Sequence, residues 1–257
     1  MSYLSLVVIA KNEERTLGDV LSAARPLVAE IVLVDSGSTD RTVEIAQQHG
    51  ARVVFQEWLG YSAQKNFALS LASNDWVLSL DADEVLSPDL VAEIRRLNES
   101  GSLDSYDGYD IPRILYIGDQ AITHGGFYPD AQLRLFRRSR GKFNERAVHE
   151  RVFVDGTVGR LHHAIRHYSY KDVAGFEQAM EKYARLSAQH YIEKGYGSWR
   201  VSPVNEMLHP LWTFFYRYIV RAGFLDGSLG LKLNLIYSDY VRKKIRYLKE
   251  AVQAKLV

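Results

Sequence analysis

Residues 76–85 read W-V-L-S-L-D-A-D-E-V. An apolar run stops at two aspartates one residue apart, Asp81 and Asp83, with a glutamate directly behind them. Carboxylates held together repel, and burial raises their pKa unless a cation or hydrogen-bond donors compensate. Something positive, missing from the sequence itself, is therefore expected here. The run from Asp75 to Leu80 also closes an alternation that fills the first hundred residues. Leu4 to Ala10 is a short apolar run followed by a helical pattern through Leu17, Val20, Leu21 and Ala24. Glu30 to Val34 makes a second buried strand, and Ser38-Thr39-Asp40 caps a helix carrying Val43, Ile45 and Ala46. Arg52 to Phe55 is a third strand, and a third helix runs from about Ser62 to Leu71. The order β-α-β-α-β-α-β predicts an α/β fold with a Rossmann-like, mainly parallel sheet flanked by helices.

Ligands of such sheets sit beyond the carboxyl ends of the strands. Three polar clusters fall there: Lys11-Asn12-Glu13, Asp35-Ser36-Gly37-Ser38 and Asp81-Ala82-Asp83. The D-x-D pair suits a divalent cation, Mg²⁺ or Mn²⁺, which takes few hard oxygen ligands from protein and fills its shell with phosphate. The alternative is a solvated turn with Asp89 opening the next helix, and the convergence of three clusters favours the metal. Asp35 suits the N3–H of uracil or a ribose hydroxyl, whereas Asp40 reads as a helix cap. Lys65 is either a diphosphate or base contact or an exposed helical lysine. The G-x-G-x-x-G fingerprint of dinucleotide enzymes is absent.

With 257 residues and 47% hydrophobic composition the chain can bury a large core, and the absence of cysteine excludes disulfides and thiolate chemistry. No apolar stretch reaches a membrane span, and the N-terminus lacks a signal-peptide pattern, so it reads as a mature cytoplasmic start. The net charge of +1 conceals a basic tail: residues 211–257 hold nine Lys/Arg against three acids. That asymmetry suits an anionic membrane surface and argues against general nucleic-acid binding. A helix is expected from about Pro88 to Leu97, a strand from Tyr109 to Ile117, strands and loops over 118–160, and an amphipathic helix over 172–193 opened by Asp172.

The stretches S-L-V-V-I-A-K-N-E-E, I-V-L-V-D-S-G-S-T-D, A-Q-K-N-F-A-L and L-S-L-D-A-D-E together resemble the nucleotide-sugar half of family 2 glycosyltransferases, inverting enzymes of the GT-A fold. Further on, G-G-F-Y-P-D-A-Q-L-R-L-F-R-R, A-V-H-E, H-Y-S-Y-K-D and R-A-G-F-L-D-G-S-L-G-L-K-L resemble a narrower branch, the lipopolysaccharide core β-1,4-glucosyltransferases of Gram-negative bacteria. The resemblance implies a UDP-sugar donor held by Ala10, Asn12, Glu13, Asp35, Lys65, Asp81 and Ala82. It implies a metal on Asp83 with His149 or His167, and a catalytic base at Asp130 or Glu150. Pro129 stands where the family usually has a glutamate before that aspartate. Arg134 and Arg137 would meet a diphosphate or the phosphates of a lipid-linked sugar.

The expected organisation is a GT-A catalytic domain over 1–170 (nucleotide-sugar half 1–100, acceptor half 101–170) and a helical extension over 171–257. The segment P-L-W-T-F-F-Y-R-Y-I-V-R mixes aromatics with arginine, which fits either a helix at a bilayer interface or a core helix. The cluster Arg242-Lys243-Lys244-Ile245-Arg246 favours the inner face of the plasma membrane. Rival readings are transfer to polyprenyl phosphate, nucleotidyl transfer, and an inactive nucleotide-sugar-binding module.

Overall fold

A computed structural model describes residues 4–144, 151–194 and 202–254. The chain divides into two compact units: residues 1–114 with 129–168, and residues 115–128 with 169–257. The helical unit thus includes a short piece of chain from mid-sequence.

The first unit is built on a seven-stranded sheet. Its elements are β1 (Leu4–Ala10), α1 (Leu17–Ala24), β2 (Val28–Asp35), α2 (Thr42–Gln48), β3 (Arg52–Phe55), α3 (Tyr61–Leu71), β4 (Trp76–Asp81), β5 (Glu84–Leu86), α4 (Pro88–Glu99) and β6 (Gly108–Ile111). After β7 (Arg113–Ile117) and β8 (Gln120–Ile122) come β9 (Gln132–Arg137), β10 (Gly141–Phe143), β11 (Val152–Val154), β12 (Val158–Arg160) and β13 (Ile165–Tyr170). The sheet order is β12-β6-β9-β4-β1-β2-β3. Strands β4, β1, β2 and β3 are all parallel, as the alternating pattern requires, and β9 runs antiparallel between β4 and β6.

Period-two alternation explains why both faces are covered. Leu4, Leu6 and Val8 of β1 join one core with Leu17, Val20, Leu21, Leu90 and Ile94 from α1 and α4. Val7 points the other way, into a second core with Val32, Val34, Ala68, Val77, Phe136 and Phe143. Local signals set the helix starts. Ser87 caps α4 by accepting from Leu90 N at 3.2 Å, with Pro88 in the first turn, where its missing N–H costs nothing.

The register fixes where the loops emerge. Ala10 lies opposite Asp35 and Ile9 opposite Asp81, so β1, β2 and β4 end at one level. The three polar clusters of the sequence therefore leave the sheet side by side.

The second unit contains α5 (Val173–Glu193), α6 (Pro203–Phe215), a π-helical turn Tyr216–Val220, a 3₁₀ turn Gly223–Asp226 and α7 (Gly227–Ala254). Its core gathers Ile117, Ile122, Phe176, Met180 and Leu233, with Phe127, Tyr170 and Tyr237 against them. Among the described residues no helix is long and apolar enough to cross a membrane.

Candidate functional site

The loops after β1 and β2 are laced to each other. Asn12 takes a left-handed backbone (φ 58°) and its side-chain oxygen accepts from Thr39 N at 2.8 Å, while its own N–H donates to Ser38 Oγ at 2.9 Å. Glu13 N donates to Thr42 Oγ1 at 2.8 Å. Asp35 is buried at the end of β2 and accepts from Gly37 N at 2.9 Å, Ser38 N at 3.0 Å and Ser38 Oγ at 2.5 Å. Ala10 O accepts from Ser36 N at 3.0 Å. The first two clusters form one rigid rim.

At the third strand end, the sequence reading expects a positive partner from outside the chain, whereas Asp81 is met by the chain's own side chains. Lys65 on α3 is only 4% exposed and places Nζ 2.7 Å from Asp81 Oδ1. It is not a solvated helical lysine. Arg134 on β9 reaches Asp81 Oδ2 at 2.5 Å and Glu84 Oε1 at 2.7 Å. Burial by itself would raise the pKa of Asp81, but Arg134 and then Lys65 more than offset it and hold the carboxyl far below its usual range. Arg134 is in turn raised: desolvation opposes its charge, and Asp81 and Glu84 outweigh that.

Glu84 is fully buried and was not singled out as a site residue by sequence reading. It accepts from Arg134, from Asp81 N at 3.0 Å and from Arg113 Nη1 at 2.6 Å. Arg113 then pairs with Asp130, whose other oxygen accepts from Gln132 Nε2 at 3.0 Å. An unbroken chain of ion pairs, Lys65–Asp81–Arg134–Glu84–Arg113–Asp130, thus connects the end of β4 to the candidate base. Three cations balance three carboxylates. Asp130 itself is 49% exposed. A cavity of about 290 Å³ is lined by Gln132 and Arg134 with Asp110, Phe143 and Arg151.

Asp83 and Glu13 lie outside that balanced chain. His167 Nε2 on β13 stands 3.5 Å from Asp83 Oδ2, because β13 pairs with β5 and sets His167 opposite Glu84. Tyr168 N donates to Asp83 O at 2.9 Å, which ties the strand to the D-x-D turn. Glu13 is pushed up to about 7, first by burial and then by the charge of Asp83, with smaller pushes from Asp40 and Asp81 against the pull of Arg15. Ala82 is buried, and its carbonyl accepts from Thr16 Oγ1 at 2.9 Å.

The carboxyl groups of Glu13 and Asp83, with the imidazole of His167 beside them, are donors of the kind that fit a hard divalent cation. Among the described residues no three such side chains are close enough to hold an ion by themselves. The fit is to a metal with two protein ligands and phosphate oxygens.

Arg137 does not join this cluster. Because β9 is antiparallel to β4, Arg137 pairs with Trp76 at the opposite end of the strand, where it stacks on the Trp76 ring at 4.8 Å and bridges to Asp75 and Asp104. Arg134, expected to grip phosphate, is committed to Asp81 and Glu84 instead. His149 and Glu150 lie outside the described residues. His162 is a structural partner of Glu93, with Nδ1 to Oε1 at 2.9 Å.

The family model "Glycosyl transferase family 2" matches residues 5–167. An uncharacterised glycosyltransferase of Rickettsia felis is 31% identical over 98% of this chain and 91% of its own length. The lipopolysaccharide core biosynthesis glycosyltransferase LpsC of Rhizobium meliloti is 29% identical over 98% of this chain and 94% of its own. Among solved structures, glucosyl-3-phosphoglycerate synthase from Mycobacterium tuberculosis in complex with Mn²⁺, uridine diphosphate and glucosyl-3-phosphoglycerate is 28% identical over 44% of each chain, with a TM-score of 0.36. That partial likeness says nothing of how this chain is arranged.

Proposed function

The chain belongs to glycosyl transferase family 2, and we propose that it is a metal-dependent inverting transferase that moves a hexose, glucose by its resemblance, from a UDP-sugar to a hydroxyl of a lipopolysaccharide core or similar glycolipid. The observation that carries this reading is the arrangement at the strand ends: Asp81 held by Lys65 and Arg134, with Asp83, Glu13 and His167 gathered beside it.

In this mechanism Asp35, Asn12 and Glu13 frame the nucleoside on the rim. Lys65 and Arg134 keep Asp81 ionised and oriented. Asp83 and His167 are the residues that would hold Mg²⁺ or Mn²⁺, which when bound supplies positive charge for the departing diphosphate. Asp130 receives the proton of the acceptor hydroxyl as its oxygen attacks the anomeric carbon. The bond from that carbon to the diphosphate oxygen breaks, its electron pair leaving with UDP on the opposite face. Arg113 fixes Asp130 in position while leaving its half-exposed carboxylate open to an acceptor. Positioning and fixed charge supply the rate.

The membrane part of the proposal is supported by α6. Met207, Leu208, Leu211, Trp212, Phe215 and Ile219 are all exposed, Trp212 at 60%, and they recur at helical spacing along one face. An apolar stripe of this size is a binding surface rather than a solvated one. The basic cluster contributes less than its sequence suggests, since Lys243 is bound to Glu181 at 2.8 Å and Asp239 at 3.1 Å and Arg242 pairs with Asp239. Attachment at the inner membrane face is thus proposed on the apolar stripe first and on charge second.

The test is a panel of UDP-sugars with Mn²⁺, scored for slow hydrolysis and for the product released. Release of UDP from one sugar supports the reading; release of pyrophosphate would assign nucleotidyl transfer, and binding without turnover on any acceptor would assign a binding module.

A further inference from the structure

Two stretches of the helical unit, T-H-G-G-F (123–127) and R-Y-I-V-R-A-G-F-L-D-G-S-L-G (217–230), fold against each other. The buried carboxylate of Asp226 accepts from His124 N at 2.9 Å, His124 Nδ1 at 3.0 Å and Thr123 N at 3.3 Å. Gly125 N donates to Arg221 O at 2.9 Å. The first turn of α7 presses on the 3₁₀ turn so closely that a Cβ on Gly230 would stand 2.1 Å from Gly223 O. This is a rigid frame, and the side chain of Arg217 lies within it.

The Arg217 guanidinium packs against two rings that stand at 90° to each other, with Cζ 4.3 Å from the centroid of Phe127 and 3.8 Å from that of Tyr237. Gly126 permits the approach: a Cβ there would be 3.3 Å from Nη1, on a backbone with φ +76°. Nε and Nη2 are buried and have no hydrogen-bond partner, and among the described residues no carboxylate lies within ion-pair distance. The buried arginines of the first unit are different, since Arg113 and Arg134 each hold two carboxylates. Burial, with Arg221 adding like charge, lowers the pKa of Arg217. A desolvated cation with idle in-plane donors lacks its anion.

We propose that Arg217 anchors a phosphate-binding site in the helical unit, its in-plane donors gripping two oxygens of one phosphate while Phe127 and Tyr237 pack against the guanidinium. Arg–phosphate pairs of this forked geometry are strong and directional. The turn that carries Arg217 continues directly from the exposed stripe of α6, and Ile219 and Val220 on it are exposed as well. A phospholipid headgroup is therefore the favoured source; a phosphate on a soluble or glycolipid substrate has the same chemistry. The proposal rests on the membrane reading above only for that source.

The experiment compares the full chain with Arg217→Gln and Arg217→Lys. Melting is followed in inorganic phosphate against chloride at equal ionic strength, with circular dichroism as the check on folding. At about tenfold saturation the parent protein should gain roughly 3–6 °C in phosphate. Arg217→Gln should lose the part of the gain due to this site, and Arg217→Lys, which keeps the cation but not the fork, should lose at least half of that part. An equal gain in parent and variants overturns the proposal, and if the Gln variant does not fold the Lys variant decides. Sedimentation with phosphatidylglycerol against phosphatidylcholine vesicles then separates the sources. Loss of phosphatidylglycerol preference in the variants assigns the headgroup; an unchanged preference with a lost phosphate response assigns a substrate phosphate. A parent protein that responds to phosphate but binds no vesicle would fail the membrane reading and leave the site standing.

Discussion

At the scale of single residues, two carboxyls carry opposite assignments. Glu13 is pushed up to about 7 from 4.5, so the folded state binds its proton more tightly than the unfolded chain does. Its contribution favours folding below about pH 4.5 and is lost as pH rises through 7. Above that, the ionised group costs the metal-free protein up to about 3 kcal/mol. Glu13→Gln should therefore match the parent in stability at pH 4 and exceed it at pH 8; urea unfolding at both values measures this, and parallel curves would remove the raised Glu13 from the account. Asp130 is assigned the opposite work, with its charge in use. Asp130→Asn should keep UDP-sugar affinity and lose transfer by about 10²–10⁴-fold, the usual worth of a general base. Near-parental transfer would shift the base elsewhere, and a variant that lost only its affinity would make Asp130 a binding residue. An acceptor that already carries a phosphate oxygen needs no base, so the same variant bears on transfer to polyprenyl phosphate.

At the scale of elements, the ion-pair chain ties side chains of β4, β5, β7 and β9 together in addition to the backbone ladders. Glu84→Gln leaves Arg113 and Arg134 each short of one buried counter-charge, a defect on the order of 3 kcal/mol, and the melting temperature should fall by roughly 6–12 °C. A fall of a degree or less would mean that Glu84 is a bystander. How legible such features were depended on their range in the chain. The parallel strands could be read because burial on both faces leaves continuous runs such as L-S-L-V-V-I-A, and D-A-D could be read because a polar break at a strand end is a local event. Lys65 was visible as a candidate, but whether it was solvated was not, since that depends on Phe143 and Asp81 packing over α3. Arg113 gave no signal at all: a lone arginine after I-P acquires meaning only when β9 is laid antiparallel beside β4 and Asp130 comes within reach. The same strand reversal carried Arg137 to the far end of the sheet, although Arg134 and Arg137 are three residues apart and look equivalent in sequence. Segment 115–128 likewise shows no local mark of the helical unit it packs into, because its partners Phe176, Asp226 and Leu233 are distant in sequence.

At the scale of the whole molecule, the chain carries a unit built on a seven-stranded sheet and a helical unit with an exposed apolar stripe, and the proposal gives each its own ligand. Replacing Leu211 and Trp212 together by aspartate should abolish sedimentation with anionic liposomes while leaving UDP-sugar hydrolysis in solution intact. Salt should release the parent protein only in part, since charge is screened over a Debye length of about 8 Å and apolar insertion is not. Undiminished sedimentation of the double variant would assign the stripe to another partner. The central claim is that Asp83 binds a divalent cation together with the donor. Calorimetric titration of UDP into the parent protein and into Asp83→Ala, each with Mn²⁺ and with a chelator, tests it most directly. The account predicts binding by the parent that is strong with Mn²⁺ and weak with chelator, and binding by Asp83→Ala that is equally weak in both, with its fold unchanged. Undiminished Mn²⁺-dependent binding by Asp83→Ala would contradict it.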